Sequence, residues 1–120
     1  MFQIIFNEIS AAEISRLPTL EQLELLSEFK VSPDDLEELD GEQFGRIERK
    51  GRLLHRFRAH DYRIYFEVAE DRVIVHRVLH KNTLKDFFYR SSMPVSEDEA
   101  LGDSKHFWEL IAEGENARKV

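Results

Sequence analysis

Cysteine is missing from the 120 residues. Disulfides, a thiol nucleophile, thiolate-bound zinc and cysteine-ligated iron–sulfur clusters are therefore excluded. Long hydrophobic runs are missing too. The opening stretch Phe2–Phe6 is broken by Gln3 and falls far short of the ~20 apolar residues that a membrane-spanning helix needs. No cationic segment precedes it, so it lacks the form of a signal peptide, and a cytoplasmic location is the expectation. Proline (three) and glycine (five) are scarce. What remains is 42% hydrophobic and 34% charged, the composition of a folded domain with one modest core and not of a disordered chain. No internal repeat is visible.

Acidic residues outnumber basic ones by 24 to 17, for a formal charge of −7. Taken as a sum, that argues against nucleic acid as a partner. The sum conceals a division. Residues 1–45 carry two basic and eleven acidic side chains, for −9. Residues 46–90 carry twelve and six, for +6, and residues 91–120 carry three and seven, for −4. A basic middle between acidic ends points to an anion-binding surface, to something that masks it, or to both. Solvated faces with no partner are the plain alternative.

Local patterns place the elements. Phe2–Phe6 is β-branched and aromatic and reads as a strand. Ser10–Leu17 reads as a helix with Ser10 at its N-cap and Pro18 as its stop. Thr19-Leu20-Glu21-Gln22 has the capping-box form, and the helix it opens carries Leu20, Leu23, Leu26 and Phe29 along one face. Ser32-Pro33-Asp34-Asp35 opens a further short helix with Leu36 and Leu39 as its apolar side, ended by Asp40-Gly41.

From Arg52 the period changes to two. Strands are expected over Arg52–Arg58, Tyr62–Ala69 and Arg72–Lys81, joined by tight turns. Pairing Ala59 with Tyr62 and Ala69 with Arg72 sets Phe57 opposite Ile64, Arg56 opposite Tyr65, Phe66 opposite Val75 and Ile64 opposite Arg77. Alternation then gives a core face of Leu53, His55, Phe57, Tyr62, Ile64, Phe66, Val68, Val73, Val75 and Leu79. The N-terminal helices are its natural cover. The opposite face collects Leu54, Arg56, Arg58, Arg63, Tyr65, Glu67, Ile74, His76, Val78 and His80, and is cationic. His55 and Arg77 fall on the core face, where His55 reads as structural and Arg77 must reach an edge or a carboxylate. Thr83–Arg90 reads as a short helix, Ser91–Pro94 as a linker, residues 95–103 as an acidic loop, and 104–113 as a last helix with Gly114 as its C-cap.

The segment Asp61-Tyr62-Arg63-Ile64-Tyr65-Phe66-Glu67-Val68, its tight turn, Val73-Ile74-Val75-His76 and Leu79-His80-Lys81 resembles the RelE/ParE toxin superfamily. The resemblance covers about residues 44–91. It implies an α+β fold, with N-terminal helices packed on a small twisted antiparallel sheet, here followed by a C-terminal helical extension. The division expected is a toxin-like domain over 1–91 and an acidic linker with an amphipathic helix over 92–120. The RelE-like branch cleaves mRNA on the ribosome, the ParE-like branch inhibits gyrase, and both are held by a cognate antitoxin. Arg63 matches the strand arginine that contacts the scissile phosphate. Arg56 and Arg58 match basic positions of the preceding strand, and Lys81 one just after the last strand. Where RelE-like nucleases often end on a catalytic Tyr or His, this chain has Phe88, with Tyr89 beside it, and Asn82 stands where a second basic residue is expected.

Cleavage through the 2′-hydroxyl needs a base, an acid and cations for the phosphorane. Arg56, Arg58 and Arg63 are the candidate cations. His76, with Tyr89, is the candidate for proton transfer. His80 and Tyr65 join Arg58 and Lys81 as candidate RNA contacts, Tyr65 by stacking or as a proton donor. No metal or other cofactor is expected: on a strand, His76 and His80 stand ~13 Å apart, too far for one ion.

The expected function is a toxin that cleaves translated mRNA and inhibits translation. The alternative is a protein of this fold without nuclease activity that binds a protein partner, as a gyrase inhibitor or an antitoxin-bound module. The expected partners are ribosome-bound mRNA and an antitoxin, with no membrane. The last helix, with Phe107, Trp108, Leu110 and Ile111, either folds back over the basic face as a mask, packs on the N-terminal helices, or forms a homodimer contact. The RNA reading requires that Arg56, Arg58 and Arg63 share one face and are not sealed by carboxylates.

Overall fold

The computed structural model describes residues 3–33, 36, 43–88 and 97–120, apart from the side chains of 86–88. The expected helix from Ser32 lies partly outside these residues, and the Ser91–Pro94 linker and Tyr89 lie wholly outside.

The described elements are β1 (Gln3–Phe6), α1 (Glu8–Ser15), α2 (Thr19–Glu28), β2 (Phe44–Arg49), β3 (Arg52–Ala59), β4 (Tyr62–Ala69), β5 (Arg72–His80), α3 (Lys81–Phe88), α4 (Glu97–Gly102) and α5 (Lys105–Asn116). The class is α+β. The five strands form one sheet in the order β1-β5-β4-β3-β2. It is mixed and not wholly antiparallel, because β1 runs parallel to β5. Strand β2 was not anticipated: Gly45, Arg46, Glu48 and Arg49 blur its alternation. It pairs antiparallel with β3 across Lys50 and Gly51, both at positive φ, 51° and 81°. Such a turn matches the twist of the strands it joins.

The hairpin registers expected at Ala59–Tyr62 and Ala69–Arg72 are observed, as are Phe57–Ile64, Arg56–Tyr65 and Phe66–Val75. The pairing then slips. Tyr65 faces Arg77 while Phe66 faces Val75, so His76 is an extra residue in β5 and Ile64 faces Val78 instead of Arg77. A one-residue bulge reverses the side-chain parity beyond it. Val78 accordingly joins the first core, and Leu79 the second.

That second core is the main departure from expectation. The first core holds Phe57, Ile64, Phe66, Val73 and Val75 under Ile14, Leu17, Leu25 and Phe29 of the N-terminal segment. The second holds Ile47, Leu54, Tyr65 and Leu79 under Leu84, Leu101, Phe107 and Ile111. The sheet is thus covered on both faces, and each fully buried large apolar side chain contributes ~1.5–3 kcal/mol.

The helices differ from expectation in phase and bounds. Asn7, not Ser10, caps α1, and the two residues form a reciprocal capping box. Ser10 was a natural choice, yet the true cap lies one turn earlier. Helix α2 has no side-chain cap, and Gln22 donates back to the Leu17 carbonyl at 2.7 Å instead of closing a box with Thr19. Its buried residue is Leu25, while Leu20, Leu23 and Leu26 are 75%, 60% and 43% exposed. Residues expected as a loop form α4, with Glu97, Asp98 and Glu99 in its first turn. Gly114 lies inside α5 and is not its cap.

Candidate functional site: an arginine cluster under an acidic helix

Strands β3 and β4 carry Arg56, Arg58 and Arg63 to one region of the second face. Arg56 faces Tyr65 and Arg58 faces Arg63 across the ladder, so their guanidinium groups share a side. This much of the expectation is observed.

The surface is not open. Arg56 is fully buried and grips Asp98 with two bonds, Nε to Oδ1 at 3.0 Å and Nη2 to Oδ2 at 3.1 Å. It also donates to the Gln43 carbonyl at 3.3 Å. Glu97 bridges the other two: Oε1 accepts from Arg63 Nε at 3.0 Å, and Oε2 from Arg58 Nη2 at 3.1 Å. Arg63 is buried and further donates to the carbonyls of His60 and Tyr62 at 2.9 and 3.2 Å. Forked pairing of this kind is the strong form of a charge-assisted bond. The acidic turn of α4 therefore pairs all three cations, and Arg56 and Arg63 are buried where the RNA reading needs them exposed.

Two details show how closely the pair is fitted. Gly45 of β2 faces Arg56, and a Cβ there would lie 2.3 Å from Arg56 Nη2 and 2.6 Å from Asp98 Oδ2. Tyr65 is fully buried, packs edge-on against Phe107 at 4.9 Å, and has a hydroxyl without a hydrogen-bond partner. Burial, reinforced by Glu97 and Asp98, raises its pKa well above the ordinary value. A phenol held neutral beneath Phe107 neither stacks an RNA base nor reaches solvent, which corrects its expected role.

His76 belongs to a different cluster. As the bulge residue it is buried, with Nε2 3.6 Å from Glu67 Oε1 and neither ring nitrogen hydrogen-bonded. Burial, chiefly, and Arg52 lower its pKa, against the pull of Glu67. Arg52 pairs with Glu67 at 2.6 Å, contacts Glu115, and lies 5.4 Å from the Trp108 ring centre. Asn7, Arg52, Glu67, His76, Glu115 and Lys119 border a cavity of ≈ 500 Å³. One donor atom from each of Glu67, His76 and Glu115 lies within 4.8 Å of the others. Arg52 contacts both carboxylates and already supplies the compensating charge. The positive charge that a metal ion would bring to these carboxylates is thus already present in Arg52.

The remaining candidates are scattered. His80 Nδ1 accepts from the Asn82 amide at 3.0 Å, and the ring packs edge-on to Tyr62 at 5.0 Å. Lys81 pairs with Asp61 at 3.0 Å on the surface, and Tyr89 lies outside the described residues. Arginines, His76 and His80 therefore do not form one catalytic constellation. His55 does lie in the first core, stacked on Phe66 at 5.4 Å. Arg77 reaches carboxylates, but from the second face: Glu13 at 2.9 Å and Glu113 at 3.2 Å, with the Leu110 carbonyl at 3.1 Å.

The bulge also anchors α5. Asn7 Nδ2 donates to the carbonyls of Val75, His76 and Gly114 at 3.1, 3.0 and 2.8 Å. Gly114 is needed there, since a Cβ would lie 2.2 Å from the His76 carbonyl oxygen. The last helix thus packs mainly on the sheet. Its apolar side, on which a homodimer contact would depend, is turned to its own chain. None of these tertiary partners carries a sequence signal beyond charge and residue size.

No family model matches the chain, and no curated protein or solved structure does either. Among the described residues, no helix is long and apolar enough to cross a membrane.

Proposed function

We propose that this chain is a RelE/ParE-like protein that acts, in the arrangement described, as a protein-binding module. One observation carries this reading: Arg56, Arg58 and Arg63 are engaged by Glu97 and Asp98, while Leu20, Leu23 and Leu26 stand exposed on α2. The leucines recur every three residues on one helix face, with Glu21 and Glu24 between them and Glu28 just beyond. An apolar stripe in an acidic setting suits a partner segment with apolar anchors and basic flanks. In the terms of the resemblance, that partner is an antitoxin.

A second reading keeps the toxin expectation, an mRNA endoribonuclease acting on translated message. It is favoured by the convergence of three guanidinium groups on one patch. Inducible expression with primer-extension mapping of cellular mRNA separates the two. The module reading expects no new 5′ ends, and any growth defect to survive Arg63→Ala but not Leu20→Ser/Leu23→Ser. New 5′ ends that vanish in Arg63→Ala would overturn it in favour of the nuclease.

A further inference from the structure

The contacts between α4 and the arginines have the pattern of ligand and site. Asp98 presents two oxygens to one guanidinium, and Glu97 presents one oxygen to each of two. Consecutive phosphates on a nucleic-acid strand would ask the same of these three side chains. Arg58, the outermost of the three, keeps 35% of its side chain exposed. Its Nε is buried without a hydrogen-bond partner. Arg58 therefore stays partly open to solvent after α4 has docked.

Helix α4 has six residues, too few to persist alone. Its apolar hold is confined to Ala100, Leu101 and the close-packed Gly102. The longer α5 is fixed independently by Phe107, Ile111, Asn7 and Arg77. Opening α4 while α5 stays in place withdraws Leu101 from the second core and leaves Phe107 and Ile111 there. Ser104, which caps α5 by accepting from the Phe107 amide at 3.2 Å, marks the natural pivot.

We propose that Glu97 and Asp98 are a tethered internal competitor for phosphate groups at Arg56, Arg58 and Arg63, so that single-stranded RNA binds only when α4 lifts. The inference rests on the RNA reading above and adds its regulation. Held to the folded chain through Ser104, the carboxylates act at an effective concentration in the roughly millimolar range, so weak external anions lose and a strand with several phosphates competes.

The test measures binding of a labelled short single-stranded RNA to the full chain at low salt, by anisotropy. Leu101→Ala loosens α4 and leaves every charge in place, and Glu97→Gln/Asp98→Asn removes the competitor. Both are expected to bind roughly tenfold or more tightly than wild type. The gain should fall steeply with salt and disappear when Arg58→Gln is added. If wild type already binds as tightly as the variants, the competitor is overturned while the RNA site stands. If none binds, the competitor and the RNA reading fall together. Should Glu97→Gln/Asp98→Asn fail to fold by circular dichroism, hydrogen exchange on wild type decides. Added RNA should speed exchange of the 97–102 amides, and slower or unchanged exchange with RNA bound would overturn the competitor.

Discussion

A methyl group at Gly45 has nowhere to go but into the Arg56–Asp98 pair. Gly45→Ala should therefore cost ~1–3 kcal/mol, the range for an overpacked site, read as a lower urea midpoint. The pair itself should respond unevenly. Arg56 has no exposure, whereas Asp98 keeps 22% of its side chain in water. Removing Asp98 takes a forked carboxylate partner from a buried cation, so Asp98→Ala should approach the ~3–5 kcal/mol cost of a broken buried pair. Arg56→Met should cost less, because Asp98 can rehydrate. A double-mutant cycle read by denaturation gives both values. His76 supplies a pH dependence. Glu67, Arg52, Glu115 and Lys119 face it, and burial leads in lowering its pKa from 6.5. The unfolded chain then binds the proton first as pH falls, so this contribution is full above pH 6.5 and is lost on acidification below it. Urea midpoints should drop from neutral to mildly acidic pH, and the drop should shrink in His76→Gln. His55, also lowered by burial, adds a slope of the same sign.

Elements respond through their phase. In α2, Leu25 is 3% exposed and Leu23 is 60% exposed. Leu25→Ala should cost ~2–5 kcal/mol, and Leu23→Ser should stay within ~0.5 kcal/mol, both by denaturation. The sequence pattern pointed to the other leucines because Leu20, Leu23 and Leu26 form the more regular stripe. Only the position of the sheet reveals that the helix turns Leu25 inward, while Phe29, expected on the apolar face, is buried just past its end. The strands β3 and β4 and both tight turns were legible, since alternation and loop length determine register. Beyond Tyr65 the reading failed for a definite reason. At the bulge Asn7 donates to the His76 carbonyl and Gly114 packs closely against it, and partners so distant leave no local trace. Gly114→Ala tests that knot: α5 should lose its seat on β5, with a stability loss of at least ~1–3 kcal/mol and increased amide exchange across α5.

For the whole molecule, the charge division of the chain proved informative, since the acidic third segment lies on the basic second one through Glu97 and Asp98. What charge alone leaves open is whether such a segment is an accessory or part of the core. The structure makes it both. Residues 97–116 contribute Leu101, Phe107 and Ile111, each fully buried, against Ile47, Leu54, Tyr65 and Leu79. A chain ending at Ser92 would expose that apolar surface together with Arg56 and Arg63, stripped of their carboxylates. Three fully buried large side chains at ~1.5–3 kcal/mol each rival the ~5–15 kcal/mol that holds a small domain together. Truncation at Ser92 should thus yield an aggregated or unfolded chain, seen as lost near-ultraviolet dichroism and early elution in size exclusion. A monomeric, folded product would mean that the second face tolerates water, and the two-sided core would no longer describe what stabilises this sheet.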